Sequence, residues 1–167
     1  MIKDSKHLRE ATASDLDAIL RIYNEAIEKT TAIYEYAPFD QSYIENWWKQ
    51  RQTESWPVIV AEIEGEIGGF ATYGTFRARA AYRSTMEHSV YVREQSRGLG
   101  LGKQLLKAIV HSAQQNGIHV LIGGIDAENA LSIAMHEKEG FRIAGHLHEV
   151  AFKFDRWLDL VFMEKKL

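Results

Sequence analysis

Residues 89–104 read SVYVREQSRGLGLGKQ, and this stretch determines how the rest of the chain is interpreted. It begins as a strand of alternating side chains and continues into a glycine turn and an amphipathic helix. The glycines at 98, 100 and 102 lack a Cβ, so we expect positive φ angles and a close approach of backbone N–H groups to a ligand. A helix beginning near Gly100 adds unpaired N–H groups and a positive dipole end, while Arg97 and Lys103 add charge. The stretch therefore predicts a pyrophosphate-binding turn.

The glycine spacing excludes two common phosphate-binding motifs. A P-loop has four residues between its first glycine and its Gly-Lys pair, and Ser or Thr follows, whereas here three residues separate Gly98 from Gly102 and Gln104 follows Lys103. The dinucleotide motif GxGxxG needs an acidic residue about 20 positions later, where this chain has the apolar run 120–125. A nucleoside triphosphatase and a nicotinamide enzyme are disfavoured, and a plain structural turn remains the alternative.

The composition fits one small enzyme domain. A chain of 167 residues suits a single domain over 1–167. The net charge of −3, with both signs interspersed, argues against a nucleic-acid surface, and the absence of a long apolar run argues against a membrane span or secretory leader. No cysteine is present, which excludes disulfides, thiolate metal sites and an acetyl-cysteine intermediate. We therefore expect a cytoplasmic protein acting on small molecules.

Hydrophobic periodicity predicts alternating strands and helices, and hence an α/β fold. A possible capping box of Ser14 and Asp17 begins the first helix, Glu64-Gly65 joins a hairpin, and Asn116-Gly117 ends the third helix. The predicted strands cover 7–10, 57–63, 66–75, 87–92, 119–125, 141–151 and 157–164, and the predicted helices cover 16–29, 42–53, 100–116 and 129–139.

Several motifs resemble those of the GNAT superfamily of N-acetyltransferases. Residues 95–100 match its Gln/Arg-x-x-Gly-x-Gly/Ala motif, and residues 139–141 and Asn129 fall where the family has its next helix and strand. More narrowly, the runs 76–92, 118–125 and 153–160 resemble the phosphinothricin and methionine sulfoximine N-acetyltransferases. The resemblance implies the GNAT acyl-CoA N-acyltransferase fold, with a mixed central sheet of about six or seven strands flanked by about four helices. It also implies acetyl-CoA as cosubstrate.

The resemblance assigns the coenzyme site residue by residue. The backbone of the central strand pairs with the pantetheine arm as an added strand, the glycine turn holds the pyrophosphate, and Asn129 orients the arm or caps its own helix. A backbone N–H near Val90 stabilises the oxyanion. The implied coenzyme residues are Val90, Tyr91, Val92, Arg97, Gly98, Leu99, Gly100, Leu101, Gly102, Lys103, Asn129 and Ser132.

Two side chains are candidates for proton transfer. Alternation places Glu87, with Ser89 and Tyr91, on the strand face opposite His88, and Glu87 is the expected base that removes the proton of the acceptor amine. His136 stands where much of the family has a tyrosine that protonates the departing thiolate. A histidine near pKa 6.5 is able to donate a proton at neutral pH, and solvent is the competing donor.

Substrate recognition is expected around the segment before the central strand. Arginine forks bind carboxylates and phosphinates bidentately, and the same segment lines the acceptor site of the phosphinothricin-type enzymes. The expected substrate-binding residues are Thr31, Tyr34, Arg77, Ala78, Arg79, Glu87, His88 and Ser89. No metal is expected, because His146 and His148 share a strand face without an evident third ligand.

The resulting hypothesis is an acetyl-CoA-dependent enzyme that acetylates the α-amine of small amino-acid analogues such as phosphinothricin, methionine sulfoximine and methionine sulfone. Transfer is expected to be direct, in a ternary complex. The alternatives are acetylation of a peptide N-terminus or a polyamine, and a coenzyme A-binding sensor without turnover. The expected partners are the small amine and a second copy of the chain in a homodimer, with no nucleic acid and no membrane; Trp157 is expected to pack or to support that dimer.

Overall fold

The computed structural model describes residues 6–167. Within that range the chain forms seven strands and four α-helices around one sheet, which confirms the predicted α/β class. Each α-helix in this range is too short or too polar to cross a membrane. The elements are β1 Lys6–Glu10, α1 Leu16–Lys29, α2 Gln41–Glu54, β2 Val58–Ile63, β3 Glu66–Thr75, β4 Thr85–Val92, α3 Leu101–Gln115, β5 Val120–Asp126, α4 Ala130–Lys138, β6 Arg142–Lys153 and β7 Arg156–Lys166.

The sheet is mixed, with the strand order β1-β2-β3-β4-β5-β7-β6. Its neighbouring strands are antiparallel except for β4 and β5, which run parallel. A parallel pair needs a long crossover, and α3 supplies it while packing its apolar stripe on β2, β3 and β4. The central strand, its glycine turn and the crossover helix are therefore adjacent in space as well as in sequence.

Strands β4 and β5 separate soon after they begin to pair. Their register runs from Thr85 opposite Val120 to Glu87 opposite Ile122 and stops there. On its other edge, β4 stays paired with β3 as far as Val92 opposite Gly69. Within the described residues, the β5-facing edge of β4 after Glu87 is thus left without a strand partner. This divergence opens a cleft in the middle of the sheet.

The capping box before the first helix lies two residues earlier than predicted. The expected capping box of Ser14 and Asp17 is wrong; the box is formed by Thr12 and Asp15 around a short 3-10 turn that precedes α1. The Asp15 carboxylate accepts the backbone N–H of Thr12 at 2.8 Å. It also accepts two hydrogen bonds from the Arg9 guanidinium at 2.7 and 2.9 Å, which fix its position. A strand residue, Arg9, therefore sets where the helix begins.

Two predicted turns and the alternation on β4 are confirmed. Glu64 and Gly65 have φ angles of 52° and 83° in the β2–β3 hairpin, and Gly117 has a φ of 69° after α3, as a left-handed cap requires. Side-chain alternation on β4 is also confirmed. Tyr91 packs on Tyr23 of α1 with ring centroids 5.2 Å apart, whereas the valines of β4 pack with α3 on the other face.

Candidate active site

The cleft between the diverging ends of β4 and β5 contains many of the site residues that the sequence predicted. It encloses about 370 Å³. Its lining comprises residues 31–34, 87–91 and 123–126 together with Asn129, Ser132, Met135, His136, Leu160 and Phe162. The fold brings both predicted proton-transfer residues, Glu87 and His136, into this one cleft. It also brings in eight further predicted site residues from three separate parts of the chain: Thr31, Tyr34, His88, Ser89, Val90, Tyr91, Asn129 and Ser132.

The predicted arginines lie outside this lining. Arg77, Ala78 and Arg79 are exposed on the connection between β3 and β4. The Arg77 guanidinium lies 5.5 Å from the ring centroid of Phe76. Phe76 in turn packs edge-on against Phe162 of the cleft, with centroids 6.1 Å apart. The connection therefore adjoins the cleft through Phe76, and a role of the arginines in substrate binding stays a prediction.

The glycine turn has the backbone geometry that a ligand-binding turn requires. Gly98 and Gly100 have φ angles of 76° and 78°, and a Cβ at either position meets no atom within 4 Å. Gly100 is the N-cap of α3 and offers no side chain to its first N–H groups. Gly102 differs from the prediction, because it lies inside the helix without a positive φ, where a Cβ lies 3.5 Å from Met135 Sδ. Arg97 and Lys103 are exposed beside the turn.

Glu87 is half-buried in the cleft and lacks a partner. Within residues 6–167 its carboxylate makes no hydrogen bond or ion pair, so burial raises its pKa above the usual range. Gly124 on β5 allows the carboxylate this position, because a Cβ at residue 124 lies 3.2 Å from Glu87 Oε1. An unpaired carboxylate with a raised pKa is suited to accept a proton.

His88 and His136 form a buried pair on the opposite face of β4. The Nδ1 of His88 lies 2.8 Å from the Ile122 carbonyl oxygen, and the Nδ1 of His136 lies 2.7 Å from the Ser132 carbonyl oxygen. A carbonyl only accepts, so each Nδ1 must carry a proton. The two Nε2 atoms are 2.9 Å apart, and that contact needs one proton more. Three protons therefore satisfy the pair, one more than two neutral rings carry.

Burial opposes this third proton. It lowers the pKa of both rings, to about 3 for His88, while the carbonyl contacts act in the opposite direction. The pair therefore binds its extra proton weakly and gives it up readily. Glycine at position 123 leaves room for the His88 ring beside His136, since an added Cβ would lie 2.7 Å from His88 Cε1.

Asn129 caps helix α4 from the wall of the cleft. Its Oδ1 accepts the backbone N–H of Ser132 at 3.1 Å, which confirms the capping alternative. The amide nitrogen of the same side chain makes no hydrogen bond within the described chain, so it is available to a ligand.

Lys153 is a residue of this region that the sequence argument missed. It is 4% exposed, and its ammonium donates to the carbonyl oxygens of Ile27, Thr30 and Ile33 at 2.6, 2.8 and 2.7 Å. These carbonyls end α1 and continue into the segment 31–34 that lines the cleft. The signal was a lysine in the apolar strand run 150–154, and a buried lysine needs partners for its donors.

The pair of histidines on β6 has a third neighbour. The statement that no third ligand lies near His146 and His148 is wrong, because Asp159 of β7 is hydrogen-bonded to both. Asp159 lies 11 residues or more away in sequence, and antiparallel pairing of β6 with β7 brings it alongside.

The chain matches known proteins in sequence over nearly its whole length. Residues 8–162 match the acetyltransferase (GNAT) domain family. The chain is 44% identical over 164 residues to the L-methionine sulfoximine/L-methionine sulfone acetyltransferase of Pseudomonas aeruginosa, which covers 98% of this chain and 95% of that protein.

Two solved structures are also close. A phosphinothricin acetyltransferase of Sinorhizobium meliloti in complex with acetyl-CoA superposes with a TM-score of 0.94 at 35% identity, covering 98% of this chain and 89% of that one. A ribosomal-protein-alanine N-acetyltransferase of Brucella melitensis gives a TM-score of 0.94 at 45% identity, covering 96% and 99%. The chain therefore belongs to the GNAT acetyltransferase family, and it is an N-acetyltransferase.

Proposed function

We propose that this protein transfers the acetyl group of acetyl-CoA to the α-amine of small amino-acid analogues, namely phosphinothricin, methionine sulfoximine and methionine sulfone. The observation that carries the proposal is the unpaired, half-buried Glu87 at the point where β4 and β5 diverge. The names of the Pseudomonas aeruginosa and Sinorhizobium meliloti relatives support this class of acceptor. We also propose that residues 1–167 act as one domain, with direct transfer in a ternary complex.

The chain offers groups that fit acetyl-CoA, which supplies the acetyl thioester. Beyond Glu87 the β5-facing edge of β4 has no strand partner within the described residues, and we assign the pantetheine arm to this stretch, at Val90, Tyr91 and Val92. The turn from Arg97 to Lys103 presents the backbone N–H groups at the start of α3 and two positively charged side chains to the pyrophosphate. Asn129 and Ser132 face the same cleft and are placed to hold the arm from the side of α4.

Glu87 is the proposed base. An α-amine with a pKa near 8 is mostly protonated at neutral pH, so attack on the thioester carbon requires removal of a proton. The Glu87 carboxylate receives that proton directly or through one water. A backbone N–H near Val90 stabilises the oxyanion.

His136 is the proposed general acid for the departing sulfur. Both its ring nitrogens are engaged, with His88 and with the Ser132 carbonyl, so donation requires one of these contacts to open. Because burial lowers the pKa of both rings, few pairs hold the extra proton at neutral pH, and the pair must take up this proton before His136 can donate it. Water is the competing donor.

We further propose a cytoplasmic homodimer. Strand β6 forms an edge of the sheet, and apolar side chains are exposed on and beside it, including Leu147, Phe152 and Trp157 at 42, 43 and 58%. Trp157 packs against Phe152 with centroids 5.1 Å apart. A second copy of the chain is the proposed cover for these side chains. Light scattering after size exclusion measures the molar mass, and a monomer at micromolar concentration contradicts this assembly.

Replacing Gly124 by Ala is expected to lower kcat about tenfold with little change in melting temperature, because the added Cβ approaches Glu87 Oε1 to 3.2 Å and displaces the base. Gly145→Ala is the matched control, since a Cβ there meets nothing within 4 Å. Steady-state rates of both variants provide the measurement. Equal rates for the two variants contradict the placement of Glu87.

Release of coenzyme A thiol tests the function as a whole. Purified protein is incubated with acetyl-CoA and, in turn, phosphinothricin, methionine sulfone, methionine sulfoximine, spermidine and a short peptide with N-terminal alanine. The chain has no cysteine, so it adds no thiol background. Turnover confined to the three amino-acid analogues is the expected result.

Three other outcomes select the alternatives. Turnover on the peptide overturns the proposed acceptor class and favours peptide N-terminal acetylation, which the name of the Brucella melitensis relative suggests; turnover on spermidine favours a polyamine. If none of the five acceptors gives thiol release while coenzyme A still binds in calorimetry, a sensor without turnover is favoured.

A further inference from the structure

His146, His148 and Asp159 form a compact side-chain cluster on the β6–β7 ladder. None of the three lines the active-site cleft, although the Asp159 carbonyl accepts the hydroxyl of Tyr34 from the cleft wall. The two imidazoles stack with ring centroids 4.3 Å apart. His146 Nε2 lies 2.9 Å and His148 Nδ1 lies 2.8 Å from the same oxygen, Asp159 Oδ2. The ligand atoms of the three residues all lie within 4.8 Å of one another. Two imidazole nitrogens and one carboxylate oxygen, each able to ligate a metal ion, therefore lie close together.

The carboxylate in this cluster is oriented and charged. Its second oxygen, Oδ1, accepts the backbone N–H of Glu149 at 2.9 Å, at the irregularity in β6 where Glu149 has a φ of 51°. This hydrogen bond, followed by those of the two histidines, lowers the pKa of Asp159 to about 2. The carboxylate is thus anionic throughout the physiological range, with Oδ1 held and Oδ2 directed at the imidazoles. Metal-ligating carboxylates are oriented by outer hydrogen bonds in the same way.

We propose that His146, His148 and Asp159 bind a divalent transition-metal ion such as Zn²⁺. Two imidazole nitrogens and one carboxylate oxygen suit Zn²⁺, Ni²⁺ or Cu²⁺ rather than Mg²⁺ or Ca²⁺, which prefer oxygen ligands. Tetrahedral Zn²⁺ separates its ligand atoms by about 3.3 Å, so the N–O distances need to widen by only about half an ångström.

The cluster is also accessible. The side chains of His146 and His148 are 43 and 73% exposed, so an ion reaches the site from solvent and retains water in its open positions. Because His146 precedes the β6 irregularity, His148 lies within it and Asp159 lies on β7, the ion ties the two strands together. Binding is expected to raise the melting temperature, and it requires both imidazoles in their neutral form.

Titration of untagged, metal-free full-length protein with ZnSO₄ by calorimetry tests the site. We expect one saturable Zn²⁺ site per chain, and a loss of at least tenfold in affinity in His148→Gln and in Asp159→Asn. The asparagine retains an Oδ1 acceptor for the Glu149 N–H, so this variant is expected to fold. His111→Gln removes an exposed histidine on α3 and is the matched control, with unchanged affinity.

The melting temperature supplies the second measurement. Zn²⁺ is expected to raise it in the unmodified protein and in His111→Gln but not in His148→Gln. Absence of saturable Zn²⁺ binding overturns the proposal. So does unchanged affinity in His148→Gln, since the ion then binds elsewhere. Neither measurement depends on the acetyltransferase reaction, so the outcome is separate from that of the proposed function.

Discussion

Glu87→Gln is expected to lower kcat by about 10² to 10³ at neutral pH while leaving the affinity for acetyl-CoA unchanged. The amide has nearly the same shape as the carboxylate, so it removes the base without emptying the cleft. Coenzyme binding is retained because the free edge of β4 and the glycine turn are untouched. Thiol release gives kcat, and calorimetry with coenzyme A gives the affinity.

The pH profile separates a base from a merely structural residue. Burial raises the pKa of Glu87, so the rate of the unmodified enzyme falls as the pH drops through that raised value and the carboxylate takes up a proton. In Glu87→Gln this step disappears. The loss of rate is expected to be largest near about pH 6 to 7 and to shrink toward about pH 9, where the amine loses its proton unaided.

Glu87→Gln lowers the rate but is not expected to lower the free energy of unfolding. A carboxyl group whose pKa is raised in the folded state disfavours folding at every pH above its unfolded pKa, because the ionised form is poorly solvated there. Glu87→Gln is therefore expected to melt no lower than the unmodified protein at pH 7, and the difference vanishes as the pH falls below the unfolded pKa. An unchanged rate profile removes Glu87 from the mechanism, and a lower melting temperature contradicts its lack of a partner in the folded state.

The glycine turn and the β2–β3 hairpin were predictable because they depend on local backbone conformation. Gly98, Gly100 and Gly65 adopt positive φ angles wherever they lie in the fold, and the sequence alone identifies them. The apolar stripe of α3 and the alternation on β4 follow from the same kind of local periodicity. These features place Glu87 on the cleft face, although they do not establish its lack of a partner.

Contacts between distant residues were not predictable in this way. His88 meets His136 across 48 residues, and Lys153 reaches carbonyls 120 to 126 residues away. Periodicity gives the face of an element on which a side chain lies, but the partner depends on the register of the strands and on where β4 and β5 separate. For the same reason the sequence did not predict Asp159 beside the two histidines of β6, because only the β6–β7 register brings them together.

Lys153 connects the fold to the segment 31–34, the wall of the cleft that we propose faces the acceptor. Its three donors meet the carbonyls at the end of α1 and in the segment after it, and its charge lies at the negative end of the helix dipole. Burial lowers the pKa of the ammonium, while each carbonyl stabilises the charged form. Thr31 and Tyr34 line the cleft from this segment, so Lys153 fixes one wall without touching the acceptor.

Lys153→Met is expected to lower the free energy of unfolding by about 2 to 4 kcal/mol, because it leaves three carbonyls without their donor in a dry environment. For a chain of this size that corresponds to a fall in melting temperature of about 5 to 12 °C. The KM for the acceptor amine is expected to rise several-fold as the segment 31–34 loosens. The KM for acetyl-CoA is expected to stay the same, because the glycine turn lies on α3, away from Lys153.

Lys166→Met is the matched control, since Lys166 is an exposed lysine on β7. Its effect on the free energy of unfolding is expected to stay within about 0.5 kcal/mol. If Lys153→Met melts like this control, the three carbonyls are solvated without the lysine, and it does not hold the segment. If both KM values rise together, the damage has spread through the sheet, and Lys153 supports the fold as a whole rather than the acceptor wall. A rise in the acceptor KM alone is the result that a positioning role requires.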